Sequence, residues 1–283
     1  MTAIEAAVEP AIDRADGGLK RRVAAHWEAE PCGTRGIEAA DRRAFFHGVE
    51  AERYAQEPFI REFAGFASAR GRRVLEIGVG AGSDYVNWLR AGAHAIGVDL
   101  TAAAVRLTRE RCTLEGFAPA LSRTDCESLP FADASFDVAY SYGVIHHAPD
   151  TVKAVAEIRR VLKPGGVARV MIYHAPSITG LLLWTVHCLL KLRPWRSPRW
   201  AVAHYLESPG TKVYTLREAR ALFGAFSTVR VRTVLGSGDL LLMRRSEKYG
   251  STLARLAWAL YPRWAIRLAG DRFGLGLLIE AVK

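Results

Sequence analysis

Cysteine is scarce in this chain of 283 residues, and the four cysteines lie far apart. They are Cys32, Cys112, Cys126 and Cys188, and none belongs to a Cys-x-x-Cys pair. The spacing disfavours a zinc knuckle, since such sites use closely paired cysteines. A secreted disulfide framework is disfavoured too, because those frameworks belong to short chains rich in cysteine. We therefore expect a reducing, cytoplasmic setting.

A long apolar run is also missing. The longest mostly apolar stretch, 178–190, contains His187 and ends before Lys191. It is shorter than the roughly 20 residues that cross a bilayer. The first residues do not resemble an apolar leader, because they include Glu5, Glu9, Asp13 and Asp16. The sequence predicts neither a membrane span nor a secretory signal.

Positive charge is in excess, with a formal net charge of +10 and a pI near 9.7. Such a balance favours an anionic partner, for example nucleic acid, an acidic lipid surface or an acidic substrate. The arginines form scattered pairs rather than one block, among them Arg21-Arg22, Arg72-Arg73 and Arg159-Arg160. This dispersal disfavours direct nucleic-acid binding.

Apolar β-forming runs alternate with helical patterns from Arg72 onward. The predicted strands are 73–77, 95–100, 120–124, 136–142, 167–173, 229–235 and 277–282. The predicted helices are 84–91, 102–115, 151–162, 177–192, 216–223 and 253–268. This alternation predicts a parallel sheet with helices on both faces.

The segments around this pattern predict a division of the chain. Residues 1–70 are expected to form a helical extension or lid, with an apolar stripe over 41–69 that breaks at Pro58. Within it, Trp27 and Cys32 are expected to be buried in a packed loop. Residues 71–283 are expected to form the ligand-binding domain. Two insertions on its substrate side are predicted at 175–215 and 237–275.

The first strand runs into a glycine-rich turn that contains Glu76, Gly78, Gly80 and Gly82. Glycines at such a turn let the backbone approach a ligand, because no Cβ intervenes. A dinucleotide fingerprint needs G-x-G-x-x-G/A, but the sixth position is Ser83 or Tyr85, depending on which glycine comes first. The turn therefore favours a ligand with a zwitterionic head over one with a pyrophosphate.

Two further acidic positions lie where strands end. Asp99 follows the second strand and is suited to the hydroxyls of a ribose, although it could instead cap the next helix. Asp125 follows the third strand and is suited to an adenine amino group, with the backbone of Cys126 beside it. Without the neighbouring motifs, the loop at Asp125 would be interpreted as an ordinary acidic loop.

The motifs follow one another along the chain in a characteristic order: Glu76 to Gly82, Asp99, Asp125 to Phe131, Gly143 to His147 and Arg160 to Gly166. Together they resemble class I S-adenosylmethionine-dependent methyltransferases. The nearest likeness is to the small-molecule branch related to ubiquinone and menaquinone methyltransferases, of the methyltransferase type 11 kind. The resemblance covers residues 72–174 closely and the end of the chain more loosely.

The resemblance implies an α/β fold with a Rossmann-like seven-stranded sheet in the order 3-2-1-4-5-7-6, the last strand antiparallel, and a helical insertion after strand five. It implies S-adenosyl-L-methionine as the cofactor. The residues expected to bind it are Glu76, Gly78, Gly80, Gly82, Asp99, Leu100, Asp125, Cys126 and Tyr142.

Methyl transfer from a sulfonium is an in-line displacement, so the protein mainly supplies position and a dry pocket. A general base is needed only for an acceptor that carries a proton. The candidates, near the ends of strands four and five, are Tyr142, His146, His147, Tyr173 and His174. Their spacing does not match a metal site, so no metal is expected.

The leading hypothesis is methyl transfer to a small apolar or aromatic molecule, at oxygen first, then carbon or nitrogen. A nucleic-acid base methyltransferase and a non-catalytic, cofactor-binding partner subunit remain as alternatives. Peripheral membrane contact is a further expectation for residues 178–200, where tryptophans alternate with basic residues.

Overall fold

Three helices precede the sheet in the computed structural model, which describes residues 18–242 and 258–283. They are α1 (Leu19–Ala29), α2 (Arg42–Gln56) and α3 (Ile60–Ala64). Helix α2 begins because the Asp41 side chain accepts a hydrogen bond from the backbone N–H of Ala44 at 2.8 Å. The predicted break at Pro58 is confirmed, since it falls between α2 and α3.

The strands and helices alternate as predicted from the sequence. The strands are β1 (Arg73–Ile77), β2 (His94–Asp99), β3 (Ala120–Arg123), β4 (Phe136–Tyr142), β5 (Leu162–His174), β6 (Val213–Tyr214), β7 (Thr228–Val234) and β8 (Gly276–Val282). The later helices are α4 (Ser83–Arg90), α5 (Ala102–Leu114), α6 (Thr151–Val161), α7 (Ile178–Trp184), α8 (Pro198–Tyr205), α9 (Leu216–Leu222) and α10 (Arg263–Ala269).

The sheet has eight strands, in the order β3-β2-β1-β4-β5-β8-β7, with β6 paired to β5 outside that path. Strands β1 to β5 are parallel, and β8 runs antiparallel to both β5 and β7. The expected order is confirmed once β6 is set aside. That strand has only two residues, which is too short for a recognisable period.

Both faces of the sheet are covered, and β1 shows how. Its side chains alternate between the faces. Leu75 and Ile77 lie in a buried apolar cluster with Ile158 of α6, whereas Val74 lies in a second cluster with Trp88 of α4. The two clusters fix the sheet between helices and leave the carboxyl ends of the parallel strands as the edge where ligands bind in such folds.

Two predicted elements differ from the structure at their ends. The fifth strand was predicted at 167–173, but β5 begins at Leu162, directly after α6 ends at Val161. Of the helix predicted at 253–268, residues 253–257 lie outside the described residues, and α10 begins only after Pro262. The helix predicted at the start of the chain likewise lies largely outside them.

None of the helices in 18–242 and 258–283 combines the length and the apolar character needed to cross a lipid bilayer.

Candidate active site

Of the three glycines in the turn after β1, only one borders open space. Gly78, Gly80 and Gly82 all have positive φ, at 83°, 53° and 76°. A Cβ on Gly78 would lie 2.2 Å from Val144, and one on Gly82 would lie 2.9 Å from Thr108. A Cβ on Gly80 would meet nothing within 4 Å. Gly80 therefore lines a cradle that a ligand could fill.

Asp99 lies directly beside this cradle. Its Oδ2 accepts a hydrogen bond from the Gly80 N–H at 3.2 Å, and its Oδ1 accepts two from Thr101, at 2.9 and 2.8 Å. Burial raises the pKa of Asp99, and the hydrogen bonds from Thr101 oppose that rise. Thr101, not Asp99, caps α5. Asp99 thus holds the turn against β2, with Leu100 half-buried next to it.

Glu76 is the acidic residue at the end of β1, and its side chain is incompletely satisfied. It is 3% exposed, and its Oε2 has no hydrogen-bond partner among the described residues. Burial, with the nearby charge of Asp84, raises the pKa of Glu76 well above its ordinary value. A buried acceptor without a donor is costly, so this oxygen is a natural partner for a ligand ammonium group.

Asp84, at the start of α4, is surrounded by hydrogen-bond donors, in contrast to Glu76. The Arg53 guanidinium of α2 donates to both of its oxygens, at 3.0 and 2.5 Å, and Tyr54 and Tyr140 donate at 2.9 and 2.7 Å. Burial alone would raise the pKa of Asp84, but Arg53 and the two hydroxyls hold it below its ordinary value. Sequence reasoning missed Arg53, because no motif surrounds it.

Tyr142 is tied to the N-terminal helices in the same way. Its hydroxyl donates to Glu57 Oε2 at 2.9 Å, and the Arg53 guanidinium lies 4.9 Å from the centre of its ring. Burial raises the pKa of both Tyr142 and Glu57. The phenol is therefore a hydrogen-bond donor in this arrangement, which argues for a positioning role over that of a base.

The Asp125 loop is held by a lysine that sequence reasoning also missed. Lys20 Nζ of α1 lies 2.6 Å from Asp125 Oδ2 and 2.6 Å from Glu127 Oε2. The other oxygen of Asp125 accepts from the Glu127 N–H at 2.9 Å. Cys126 is half-buried between them, and burial raises the pKa of its thiol.

His146 and His147 lie in a short 3-10 turn after β4. His146 is fully buried, with its ring centroid 4.1 Å from that of His147 and 4.1 Å from that of Tyr173. Neither of its ring nitrogens has a hydrogen-bond partner within the described parts of the chain. Burial lowers the pKa of His146 well below its ordinary value, so the ring is neutral near pH 7.

Both ring nitrogens of His147 have polar neighbours. Its Nδ1 lies 2.8 Å from the Ser208 hydroxyl oxygen and 3.1 Å from that of Thr211, which itself donates to the Ser208 carbonyl at 2.7 Å. Ser208 can donate to Nδ1 and Thr211 can accept from it, so these contacts are compatible with either tautomer of the ring. Nε2 faces Glu207 Oε2 at 3.3 Å, close enough for the two groups to share a proton.

Glu207 belongs to the predicted 175–215 insertion and also hydrogen bonds to Tyr173. The donor atoms of Glu207, His146 and His147 lie within 4.8 Å of one another, the one such grouping found in the described chain. A proton shared between His147 Nε2 and Glu207 Oε2 is one explanation of their 3.3 Å contact. Divalent cations also use such donor sets, so chelation is an informative control.

His174 lies apart from this group. Its Nδ1 is 3.0 Å from the Gly274 carbonyl oxygen, and burial lowers its pKa. Successive residues of a strand point to opposite faces, so Tyr173 reaches His146 while His174 points away. Of the predicted histidines, the structure therefore brings together His146 and His147 only.

The segment around Trp27 and Cys32 corrects two expectations. Trp27 was expected in a loop but lies in α1, where it is half-buried and packs edge-on against His147, with ring centroids 5.4 Å apart. Cys32, which was expected to be buried, is exposed. The charges of Glu207, Arg53 and Asp99 nevertheless act on its thiol, so Cys32 lies near the site.

Comparison with known proteins identifies a family match in the central part of the chain. Residues 75–170 match the family described as a methyltransferase domain. The chain is 33% identical over 164 residues to phthiotriol/phenolphthiotriol dimycocerosates methyltransferase 1 of Mycobacterium ulcerans, covering 52% of this chain and 59% of that protein. It is 36% identical over 100 residues to the ubiquinone biosynthesis O-methyltransferase of Hahella chejuensis, covering 35% of this chain and 42% of that protein.

The chain carries a methyltransferase domain over residues 75–170. The fold agrees. Phosphoethanolamine N-methyltransferase 2 of Haemonchus contortus, solved with S-adenosyl-L-methionine, superposes with a TM-score of 0.57 at 20% identity, covering 100% of this chain and 60% of that one.

The matched part of the methyltransferase domain contains the glycine turn, Asp99, Asp125 and both adjacent histidines. Lys20, Arg53 and Glu207 lie outside it. The chain spans only about half of the length of the relatives named above, at 59% and 42%. The family match thus covers the glycine turn, Asp99, Asp125 and the two histidines, while Lys20, Arg53 and Glu207 come from segments outside it.

Proposed function

We propose that this protein transfers a methyl group from S-adenosylmethionine to a hydroxyl group on a small molecule with an apolar scaffold. The observation that carries the proposal is the cradle over Gly80, which has open space at its centre and the Asp99 carboxylate beside it. Glu76, on the strand that leads into the same turn, adds a buried oxygen without a hydrogen-bond partner among the described residues. These groups fit a ligand that has an ammonium head and a ribose.

The residues that would hold the cofactor divide by its parts. Glu76 with Gly78, Gly80 and Gly82 would hold the amino-acid head. Asp99 and Leu100 would hold the ribose, and Asp125 with Cys126 the adenine. Tyr142 would line the edge of the pocket, fixed by its hydrogen bond to Glu57. When bound, the cofactor supplies an activated methyl group on sulfur.

His147 and Glu207 are the groups proposed to take the proton of the acceptor. His147 Nε2 and Glu207 Oε2 lie 3.3 Å apart, so a proton taken from the acceptor can be held between them. In the reaction a bond forms between the acceptor oxygen and the methyl carbon, the carbon–sulfur bond breaks, and the hydroxyl proton moves to this pair. His146 supports the His147 ring by packing against it, and His174 and Tyr142 have positioning roles.

Transfer to oxygen is supported by the relatives. Besides the Hahella protein, the malonyl-[acyl-carrier protein] O-methyltransferase of Erwinia billingiae is 36% identical over 125 residues. A pair that accepts a proton is needed for a hydroxyl acceptor but not for a neutral amine.

The cofactor and the acceptor need separate experiments. In calorimetry we expect S-adenosylmethionine and its demethylated product to bind, and NAD not to bind. Tight binding of NAD alone would overturn the proposal. A screen with labelled methyl groups across phenols, carboxylates, amines and RNA should then label a hydroxyl compound. Label on RNA alone would favour the nucleic-acid alternative, and binding without any transfer would favour the non-catalytic one.

A further inference from the structure

A helical hairpin projects from the acceptor side of the site. Its first arm is α7 with the π-helical turn Thr185–Leu189, and its second arm is α8. The arms are joined by a hydrogen bond from Trp184 Nε1 to the Arg196 carbonyl at 2.6 Å. We call residues 189–197, which connect the arms, the hairpin tip.

Large apolar side chains of the hairpin tip are exposed to solvent. Leu190 is 72% exposed, Leu192 82% and Trp195 74%. Single exposed apolar residues are common on protein surfaces, but three within six positions on one turn are not. The side chains inside the hairpin are buried in the usual way, as Cys188 shows with no exposure. The backbone of the hairpin tip therefore directs these three side chains toward solvent.

Basic residues alternate with the apolar ones. Lys191, Arg193 and Arg196 are all exposed. The sequence has no aspartate or glutamate between positions 177 and 206. The next basic residue, Arg199, is already paired with Glu218 at 2.6 Å. The tip thus joins a local positive charge to apolar groups of leucine and tryptophan, which is the combination that favours an anionic lipid interface.

Both ends of the hairpin connect to residues of the site. Helix α7 is capped by Ser177, four residues after Tyr173, whose ring packs against His146, and Glu207 follows α8 within two residues. A surface that holds the tip would therefore lie on the side of the molecule from which an acceptor approaches His147.

We propose that the hairpin tip inserts into the interface of an anionic lipid bilayer and so positions the site to receive an acceptor from the membrane. The contact with lipid depends on the tip alone. The further step, that the acceptor comes from the membrane, rests on the proposed function.

The test is co-sedimentation of the full chain with vesicles at low salt. Wild-type protein is expected to bind phosphatidylglycerol–phosphatidylcholine vesicles and to bind pure phosphatidylcholine vesicles at least tenfold more weakly. The triple variant L190S/L192S/W195S and the charge variant K191E/R193E should each lose at least tenfold in binding to the anionic vesicles. The matched control is R230E/R232E, which makes the same change of charge on β7 and should bind like the wild type.

Calorimetry with S-adenosylmethionine on each variant shows whether it is folded. Absence of wild-type sedimentation, or equal binding by the tip variants, would overturn the proposal. So would a wild-type dimer that becomes a monomer in L190S/L192S/W195S without any vesicle binding, since the tip would then contact a second copy. Vesicle binding without methyl transfer to any acceptor would leave the lipid contact standing and remove the proposed function.

Discussion

The ammonium group of Lys20 lies 2.6 Å from Asp125 Oδ2, although the two residues are 105 positions apart. The same group lies 2.6 Å from Glu127 Oε2, and Lys20 is 2% exposed. Burial alone would lower the pKa of Lys20, but the two carboxylates raise it. This contact fixes α1 over the loop that is proposed to hold the adenine, so the N-terminal helix is part of the proposed cofactor site.

Replacing Lys20 is therefore expected to destabilise the protein. In Lys20→Met the carboxylates of Asp125 and Glu127 lose their common cation while they stay enclosed, which should lower the free energy of unfolding by about 3 kcal/mol. Urea unfolding followed by circular dichroism measures this. Arg21→Met is the matched control, because Arg21 is exposed on the same helix, and it should change the value by less than about 0.5 kcal/mol. Equal stability of both variants would show that the ion pair does not hold α1.

Gly80→Ala should separate cofactor binding from stability. The new methyl group would point into the open cradle, so we expect the affinity for S-adenosylmethionine to fall at least tenfold in calorimetry. The left-handed backbone at φ 53° should cost about 1 kcal/mol of folding free energy. Gly165→Ala is the matched control, since Gly165 has φ 75°, nothing within 4 Å of its Cβ position and a place at the start of β5. Unchanged affinity in Gly80→Ala would exclude the cradle as the cofactor site.

The positions of the residues proposed to bind the cofactor were predictable from sequence, because they lie at the ends of strands in a repeating pattern. Asp99 ends β2, and Gly80 follows β1 in a short motif. The rest was not. Lys20, Arg53 and Glu207 reach the site from segments without such a pattern, and only the folded chain brings Glu207 to His147. The separation of His174 from His146 could have been foreseen, since His174 adjoins Tyr173 on a strand whose side chains alternate.

Cofactor binding should release a proton from Glu76. Burial raises the pKa of Glu76 in the free protein, so its carboxyl is protonated well above its ordinary pKa of 4.5. This raised pKa means that stability falls as the pH rises from 4.5 through the folded-state pKa. An ammonium group beside Glu76 favours the ionised form, so affinity for S-adenosylmethionine should rise with pH over the same window.

Calorimetry in buffers of different ionisation enthalpy measures that proton. Glu76→Gln is expected to bind more weakly and to release fewer protons than the wild type. Burial also raises the pKa of Asp99, so Asp99→Asn is needed alongside to separate the two contributions. The assignment to Glu76 fails if Glu76→Gln releases as many protons as the wild type.

The last prediction concerns the pair that is proposed to take the acceptor proton. Glu207→Gln and His147→Asn should each lower kcat by roughly 100-fold, the usual effect of losing a general base. Affinity for S-adenosylmethionine should stay the same, since neither side chain belongs to the cradle. Because the two groups share one proton, the double variant should be little worse than either single variant.

Matched controls separate this role from structural damage. Glu62→Gln and His94→Asn make the same chemical changes at exposed positions and should leave kcat unchanged. Activity that is lost with a chelator and restored by zinc would instead mean that His147 and Glu207 bind a metal ion, and additive losses in the double variant would show that they do not act as one unit.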